Sequence, residues 1–207
     1  MIVSQHLDTS LNFAQKIIDD GGIVIAQTDT LFGLVCDATN ITSLDKLAAI
    51  KCRENGKPFP VFVKDQKSAE NITIFNSHAI KLAKAFWPGP LTIILKLREN
   101  SSMPKKYFSE TIALRVPRND FLLKLLYNIK HPLTATSANI SNAQDPKSLE
   151  FLLRDEIFLK IGNAIIDEHN NVSEASTLVD CTTKVLKIIR IGAIKEADIL
   201  NASRSRS

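Results

Sequence analysis

Three short segments, far apart in the 207-residue chain, carry groups of one chemical kind: Thr28-Asp29-Thr30, Lys51-Cys52-Arg53 and Ser137-Ala138-Asn139. They offer cations, hydroxyls and an amide, with no nucleophile–base pair and no metal-ligand cluster. An arginine fork engages phosphate oxygens bidentately, and a lysine acts as a point charge. Ser and Asn at a strand-to-loop junction add further donors. Such a set suits a polyanion held in a crevice, and a nucleoside triphosphate is the candidate. Each segment also has a plainer reading. Thr28 to Leu34, with Gly33 to turn the backbone, fits a capped turn. Lys51 and Arg53, with Lys57 a few residues on, fit a solvated basic helix end favoured by the helix dipole. Ser137 to Asn139, with Ser141 close behind, fits an Asx or Ser turn.

Arg115 sits inside an apolar run, Ile112-Ala113-Leu114-Arg115-Val116-Pro117. A buried guanidinium needs an anionic partner, either a protein carboxylate or a ligand carboxylate. Arg190 similarly ends Lys187-Ile188-Ile189-Arg190, just before Gly192. Cys52 between two cations would have a lowered pKa if it faced them; the plainer expectation is that it faces the core. The four histidines lack metal spacing, and Asp167-Glu168 reads as an exposed turn. Trp87-Pro88-Gly89-Pro90 is a rigid corner, with Trp87 as a packing anchor.

The elements that must position these groups follow from periodicity. A helix is expected over 10–20, capped by Asp8 or Thr9 and stopped by Gly21-Gly22. A buried strand follows at 23–26, then a helix over 43–51 and a strand at 60–63. Asn76 caps a helix over 77–86, and strands follow at 91–97 and 111–116. Asn119 or Asp120 caps a helix to 129. A short strand at 133–136 leads into Ser137, and a weak helix fills 147–154. Strands at 164–167, 177–180 and 185–191 and a short helix at 195–200 complete the chain. This alternation indicates α/β architecture with a mixed sheet. No linker or repeat divides the chain, so residues 1–200 are expected as a single domain and 201–207 as a flexible basic tail.

The bulk properties narrow the function classes. Hydrophobic residues are 44% of the chain, enough for a sizeable core. No apolar run approaches the ~20 residues that span a membrane. No signal peptide is read at the N-terminus. Three cysteines without Cys-x-x-Cys spacing argue against disulfide or zinc frameworks and for a reducing, cytoplasmic setting. A net charge of +4 is low for a dedicated nucleic-acid module.

In this order the segments resemble the YrdC-like family of threonylcarbamoyl-AMP synthases, in its short form. The resemblance rests on Thr28-Asp29-Thr30 with Gly33-Leu34, Lys51-x-Arg53, Trp87-Pro88-Gly89-Pro90-Leu91-Thr92, Arg115-x-Pro117, Thr136-Ser137-Ala138-Asn139, Ser176-Thr177-x-Val179-Asp180, and Arg190 before Gly192. The chain departs from the family pattern at Gln27, Phe32, Glu54 and Asn142. It also has Phe62 where some relatives hold histidine. None of these changes removes a charged or hydroxyl group from the motifs.

The resemblance implies a twisted, open, mostly mixed or antiparallel sheet with helices around a basic concave surface. It implies a nucleotidyltransferase that makes L-threonylcarbamoyl-AMP from L-threonine, bicarbonate and ATP, with Mg²⁺, releasing pyrophosphate. Separate transfer proteins then modify adenosine 37 of tRNAs that read codons beginning with A. Carried over by position, Thr30, Arg115 and Ser176 contact threonine. Lys51 and Arg53 are catalytic. Lys51, Arg53, Lys57, Thr111, Ala135, Ser137, Asn139 and Arg190 surround ATP. The alternative is a non-catalytic module that binds tRNA or double-stranded RNA in the same basic cavity.

Overall fold

A computed structural model of the protein describes residues 1–5, 8–53, 58–134, 136–139, 148–154, 156–166 and 174–205. In chain order the elements are β1 (Ile2–Ser4), α1 (Asp8–Asp19), β2 (Val24–Gln27), β3 (Phe32–Val35), α2 (Ile41–Ile50), β4 (Val61–Phe62), α3 (Gln66–Ile72), β5 (Thr73–Ile74), α4 (Ser77–Phe86), β6 (Leu91–Leu97), β7 (Thr111–Arg115), α5 (Asp120–Ile129), β8 (Leu133–Thr134), β9 (Thr136–Ser137), α6 (Leu149–Arg154), α7 (Glu156–Ile161), β10 (Ala164–Ile166), β11 (Thr177–Asp180), β12 (Lys187–Arg190) and α8 (Glu196–Arg204).

The strands form two mixed sheets. One runs β1-β10-β2-β3-β9; the other runs β12-β11-β6-β7-β4-β8, with β5 paired to β6. Within them β11 lies parallel to β6, and β6 antiparallel to β7. The chain passes from the second sheet to the first between β8 and β9, with one residue between Thr134 and Thr136. Thr134 also exchanges bonds with the end of β3. Its backbone N–H donates to Cys36 O at 2.9 Å, and its hydroxyl oxygen accepts from Cys36 N at 2.9 Å.

Strand pleating separates two faces. On β6 and β7, Ile93, Leu95, Ile112 and Leu114 enter the larger core. Thr92, Ile94, Ala113 and Arg115 look the other way, into a concave cleft. Val24, Ala26 and Val35 face a second apolar cluster against Phe121, Leu122, Leu125 and Leu126 of α5 and Ala14 and Ile18 of α1. Burying such α5 side chains stabilises the fold by about 1.5–3 kcal/mol each.

Side-chain caps fix several helix starts. Asn76 accepts from Ala79 N at 2.9 Å and donates to Cys181 O and Thr183 O, each at 2.8 Å, tying α4 to the end of β11. Asn119 accepts from Leu122 N at 2.9 Å and donates to Gln27 O at 3.3 Å, tying α5 to β2. The rigid corner after α4 is present. Trp87 Nε1 donates to Leu91 O at 2.7 Å, the ring meets Phe75 edge-on, and the Trp87–Pro88 peptide is cis.

Several boundaries differ from the sequence-based expectation. α1 starts two residues before the expected span, so Asp8 and Thr9 lie within it. α2 begins two residues early, because Asn40 supplies the cap that accepts from Ser43 N. The segment from Thr28 to Leu34, read as a capped turn, is a tight hairpin turn followed by β3. Strand β3 is buried at every position, so it lacks the polar alternation that marks a half-buried strand. α3, β5 and α7 are short elements that periodicity did not reveal. The tail expected from residue 201 is helical through Arg204, because Ile199 and Ser203 are buried and Lys81 Nζ donates to Ser203 O at 3.3 Å. Asp167-Glu168 and the last two residues lie outside the described residues.

Candidate active site

The cleft lies between the concave face of the second sheet and the β2–β3 turn with β9 of the first. Its volume is about 420 Å³. Six of the residues singled out from the sequence line it together: Thr30, Arg53, Arg115, Ser137, Ser176 and Arg190.

At one end, Thr28 shapes the turn. Its hydroxyl donates to Leu31 O at 2.7 Å and accepts from Thr30 N at 3.0 Å. Thr30 Oγ1 lies 3.1 Å from Thr28 Oγ1 and accepts from Arg115 Nη1 at 2.8 Å. Arg115 Nε donates to Gly89 O at 2.9 Å, and Nη2 meets Asp29 Oδ1 at 2.6 Å. The guanidinium also stands over the Phe62 ring, 5.7 Å from its centroid. The anion that a buried Arg115 requires is therefore the carboxylate of Asp29. Burial lowers the Arg115 pKa from its ordinary value; Asp29 opposes that shift, and the charge of Arg190 adds to it.

Lys51 and Arg53 separate at the end of α2. Lys51 is its C-cap. Cys52 takes a left-handed backbone, φ 48, and is exposed where a core-facing side chain was expected. The ammonium of Lys51 points inward, its residue only 2% exposed. It donates to Ser137 O at 2.7 Å and to Asn139 Oδ1 at 2.6 Å. Ser137 Oγ donates to the same amide oxygen at 2.9 Å. Lys51 and Asn139 thus stand one layer behind the wall that Ser137 presents to the cleft. Arg53 reaches the cleft itself. It donates to Pro58 O at 2.8 Å and lies over Phe59, 4.9 Å from the ring centroid. Burial lowers its pKa from the ordinary value.

On the opposite wall, Arg190 Nη2 donates to Ser176 O at 2.8 Å, and Ser176 Oγ bonds Thr92 Oγ1 at 2.8 Å. Gly192 makes this corner possible: a Cβ there would sit 2.1 Å from Ala175 O. Thr111 shares the concave sheet face but lies opposite Lys96 and lines a neighbouring depression, not the cleft. Lys57 and Ala135 lie outside the described residues. Sequence reasoning missed Asp29, Phe62 and Thr92 as parts of this site. The Thr-Asp-Thr triplet was the available signal for Asp29, but nothing local pairs it with β7.

Chemically, the arrangement presents fixed cations and hydroxyls suited to anionic oxygens. Among the described residues, no group of three or more His, Cys, Asp or Glu is placed to hold a metal ion. No helix among them is long and apolar enough to cross a membrane.

Residues 16–192 match the family model Sua5_yciO_yrdC, described as telomere recombination. The chain belongs to the Sua5/YciO/YrdC family. A Methanocaldococcus jannaschii relative is 34% identical over 184 residues, covering 89% of this chain and 86% of that protein. The Bacillus subtilis threonylcarbamoyl-AMP synthase is 27% identical over 194 residues, covering 93% of this chain and 56% of that protein. The structure of P. abyssi Sua5 complexed with L-threonine superposes with TM-score 0.87 at 27% identity, covering 98% of this chain and 60% of the other. The chain thus spans little more than half the length of two of these relatives. The mixed α/β fold expected from the motifs is the fold of this family.

Proposed function

We propose that the protein condenses L-threonine, bicarbonate and ATP into L-threonylcarbamoyl-AMP and pyrophosphate. The observation that carries this reading is the convergence of Thr30, Arg53, Arg115, Ser137, Ser176 and Arg190 on one cleft. The threonine amine combines with bicarbonate to give a carbamate and water. A carbamate oxygen then attacks the α-phosphorus of ATP, and the bond to pyrophosphate breaks. Transfer of this kind needs positioning and charge stabilisation more than a covalent partner. Arg53 and Arg190 would bind phosphate oxygens, with Lys51 and Asn139 holding Ser137 in the cleft wall from behind. The guanidinium and hydroxyl donors suit phosphate oxygens and not a cation, so Mg²⁺ would enter as part of the substrate Mg·ATP.

In this reading the product passes to threonylcarbamoyl-transfer proteins, which modify adenosine 37 of tRNAs reading codons that begin with A, in the cytoplasm. The relatives named as threonylcarbamoyl-AMP synthases and the threonine complex of the P. abyssi protein support it. The test is mass spectrometry of the adenylate product. Formation that requires threonine, bicarbonate and ATP together is the expected result. RNA retention that falls steeply with salt and ignores threonine, without adenylate, would replace this reading with the RNA-binding one.

A further inference from the structure

The hydrogen-bond polarity around Thr30 can be worked out. A hydroxyl has one hydrogen and two acceptor lone pairs. The hydrogen of Thr28 is committed to Leu31 O, at 2.7 Å. The two lone pairs of Thr28 Oγ1 accept from Thr30 N at 3.0 Å and from Leu31 N at 3.2 Å, which leaves none for the hydrogen of Thr30 Oγ1, 3.1 Å away. Thr30 accepts from Arg115 Nη1. Its hydrogen is therefore not taken up by Thr28 and faces the cleft lined by Thr30. A ligand oxygen opposite Thr30, such as that of a carboxylate, can accept this hydrogen.

The charge balance divides the cleft between amino acid and phosphate. At the Thr30 end, Arg115 is matched by Asp29, with side-chain exposures of 5% and 11%, so the pair adds no net charge. At the other end, the hydrogen bonds of Arg190 run to the carbonyl and hydroxyl of Ser176, which are neutral. A polyphosphate gains most at the Arg190 end. A zwitterion, which carries no net charge but offers both hydrogen donors and a carboxylate, suits the paired end.

We infer that Asp29 is a positioning and specificity residue for this reaction: by clamping Arg115 and thereby orienting Thr30, it reserves one end of the cleft for the amino acid and keeps phosphate out of it. Asp29 touches no substrate in this scheme; it acts through Arg115 and Thr30. The inference rests on the proposed function above.

The test is the steady-state kinetics of adenylate formation by the full chain and its Asp29→Asn variant, with inorganic pyrophosphate as the probe anion. Loss of the clamp weakens the arginine's placement by about one charged hydrogen bond, so KM for threonine should rise roughly 10–100-fold. KM for ATP should stay near the parent value. Pyrophosphate, competitive with ATP alone in the parent, should also compete with threonine in the variant. An unchanged KM for threonine, or KM values for threonine and ATP rising in parallel, would overturn the inference. If Asp29→Asn fails to fold, Asp29→Glu carries the test, since it keeps the charge and displaces it by one methylene. A selective rise in KM for threonine supports the clamp, and an unchanged one refutes it. A parent protein that forms no adenylate removes both readings; an active parent with an indifferent Asp29 removes this one alone.

Discussion

Replacing Lys51 with Met separates a lysine that binds phosphate from one that builds the wall behind it. Methionine keeps an unbranched side chain of similar length and removes only the ammonium. Ser137 O, at 2.7 Å, and Asn139 Oδ1, at 2.6 Å, then each lose a charged donor, and of the two donors Asn139 Oδ1 keeps only the hydroxyl of Ser137. Hydrogen bonds from a charged donor contribute about 1.5–3 kcal/mol each, and relief from burying the ammonium offsets part of that. A net loss of about 2–3 kcal/mol follows. For a chain of this size it corresponds to a fall in Tm of about 4–12 °C. Urea unfolding, followed by Trp87 fluorescence and by far-ultraviolet circular dichroism, measures it. The Lys51→Met and Ser137→Ala changes should also be strongly non-additive in kcat, because both act on the same hydroxyl. Unaltered stability together with additive kinetic effects would refute the reasoning and return Lys51 to direct contact with the ligand.

Other expectations follow from the same geometry. Arg53→Ala should lower the rate of pyrophosphate release by a factor of ~10²–10³ while leaving the urea midpoint nearly unchanged; turnover close to the parent's would remove Arg53 from the phosphate site. A thiol reagent should modify Cys52 rapidly and Cys36 and Cys181 only on unfolding, since the first is exposed and the others are buried. ATP should slow the Cys52 reaction, because its neighbour Arg53 lines the cleft. Burial pushes the thiols of Cys36 and Cys181 from the ordinary 9.0 up to about 12. The unfolded chain therefore loses these protons first, and their contribution is complete below pH 9.0 and declines as pH rises toward about 12. The slope should be about 1.4 kcal/mol per pH unit for each thiol. Cys36→Ala should reduce that slope just above pH 9, as read from urea midpoints, and an unaltered slope would contradict the shift.

What the sequence disclosed depended on how local the signal was. α4 and β6 occupy the expected spans because Asn76 caps one and five Leu and Ile residues among seven write the other. β3 escaped because a strand buried on both faces, containing Gly33 and following a polar triplet, resembles a loop. α3 has its capping signal in Asp65, which accepts from Ser68 N, but the helix is only seven residues long. For the cleft, residue types were enough to gather Thr30, Arg53, Arg115, Ser137, Ser176 and Arg190. They did not disclose that Asp29 would answer the charge of Arg115, because that pairing exists only once the hairpin turn and β7 meet. Nor did they disclose the division of labour between Lys51 and Arg53. It is set by a left-handed Cys52, a conformation that side-chain chemistry does not announce.

The passage from β8 to β9 has a mechanical outcome. A single residue bridges Thr134 of one sheet and Thr136 of the other, and one residue reaches at most about 3.6 Å. Near Ser137 the two walls are stitched together like pages at a spine. β12, by contrast, pairs among the described strands with β11 alone, at the margin of its sheet. Any widening that admits a bulky reactant must swing about the spine and be greatest where Arg190 stands. The phosphate-facing side of the cleft is therefore its natural doorway, and the Ser137 side its fixed back.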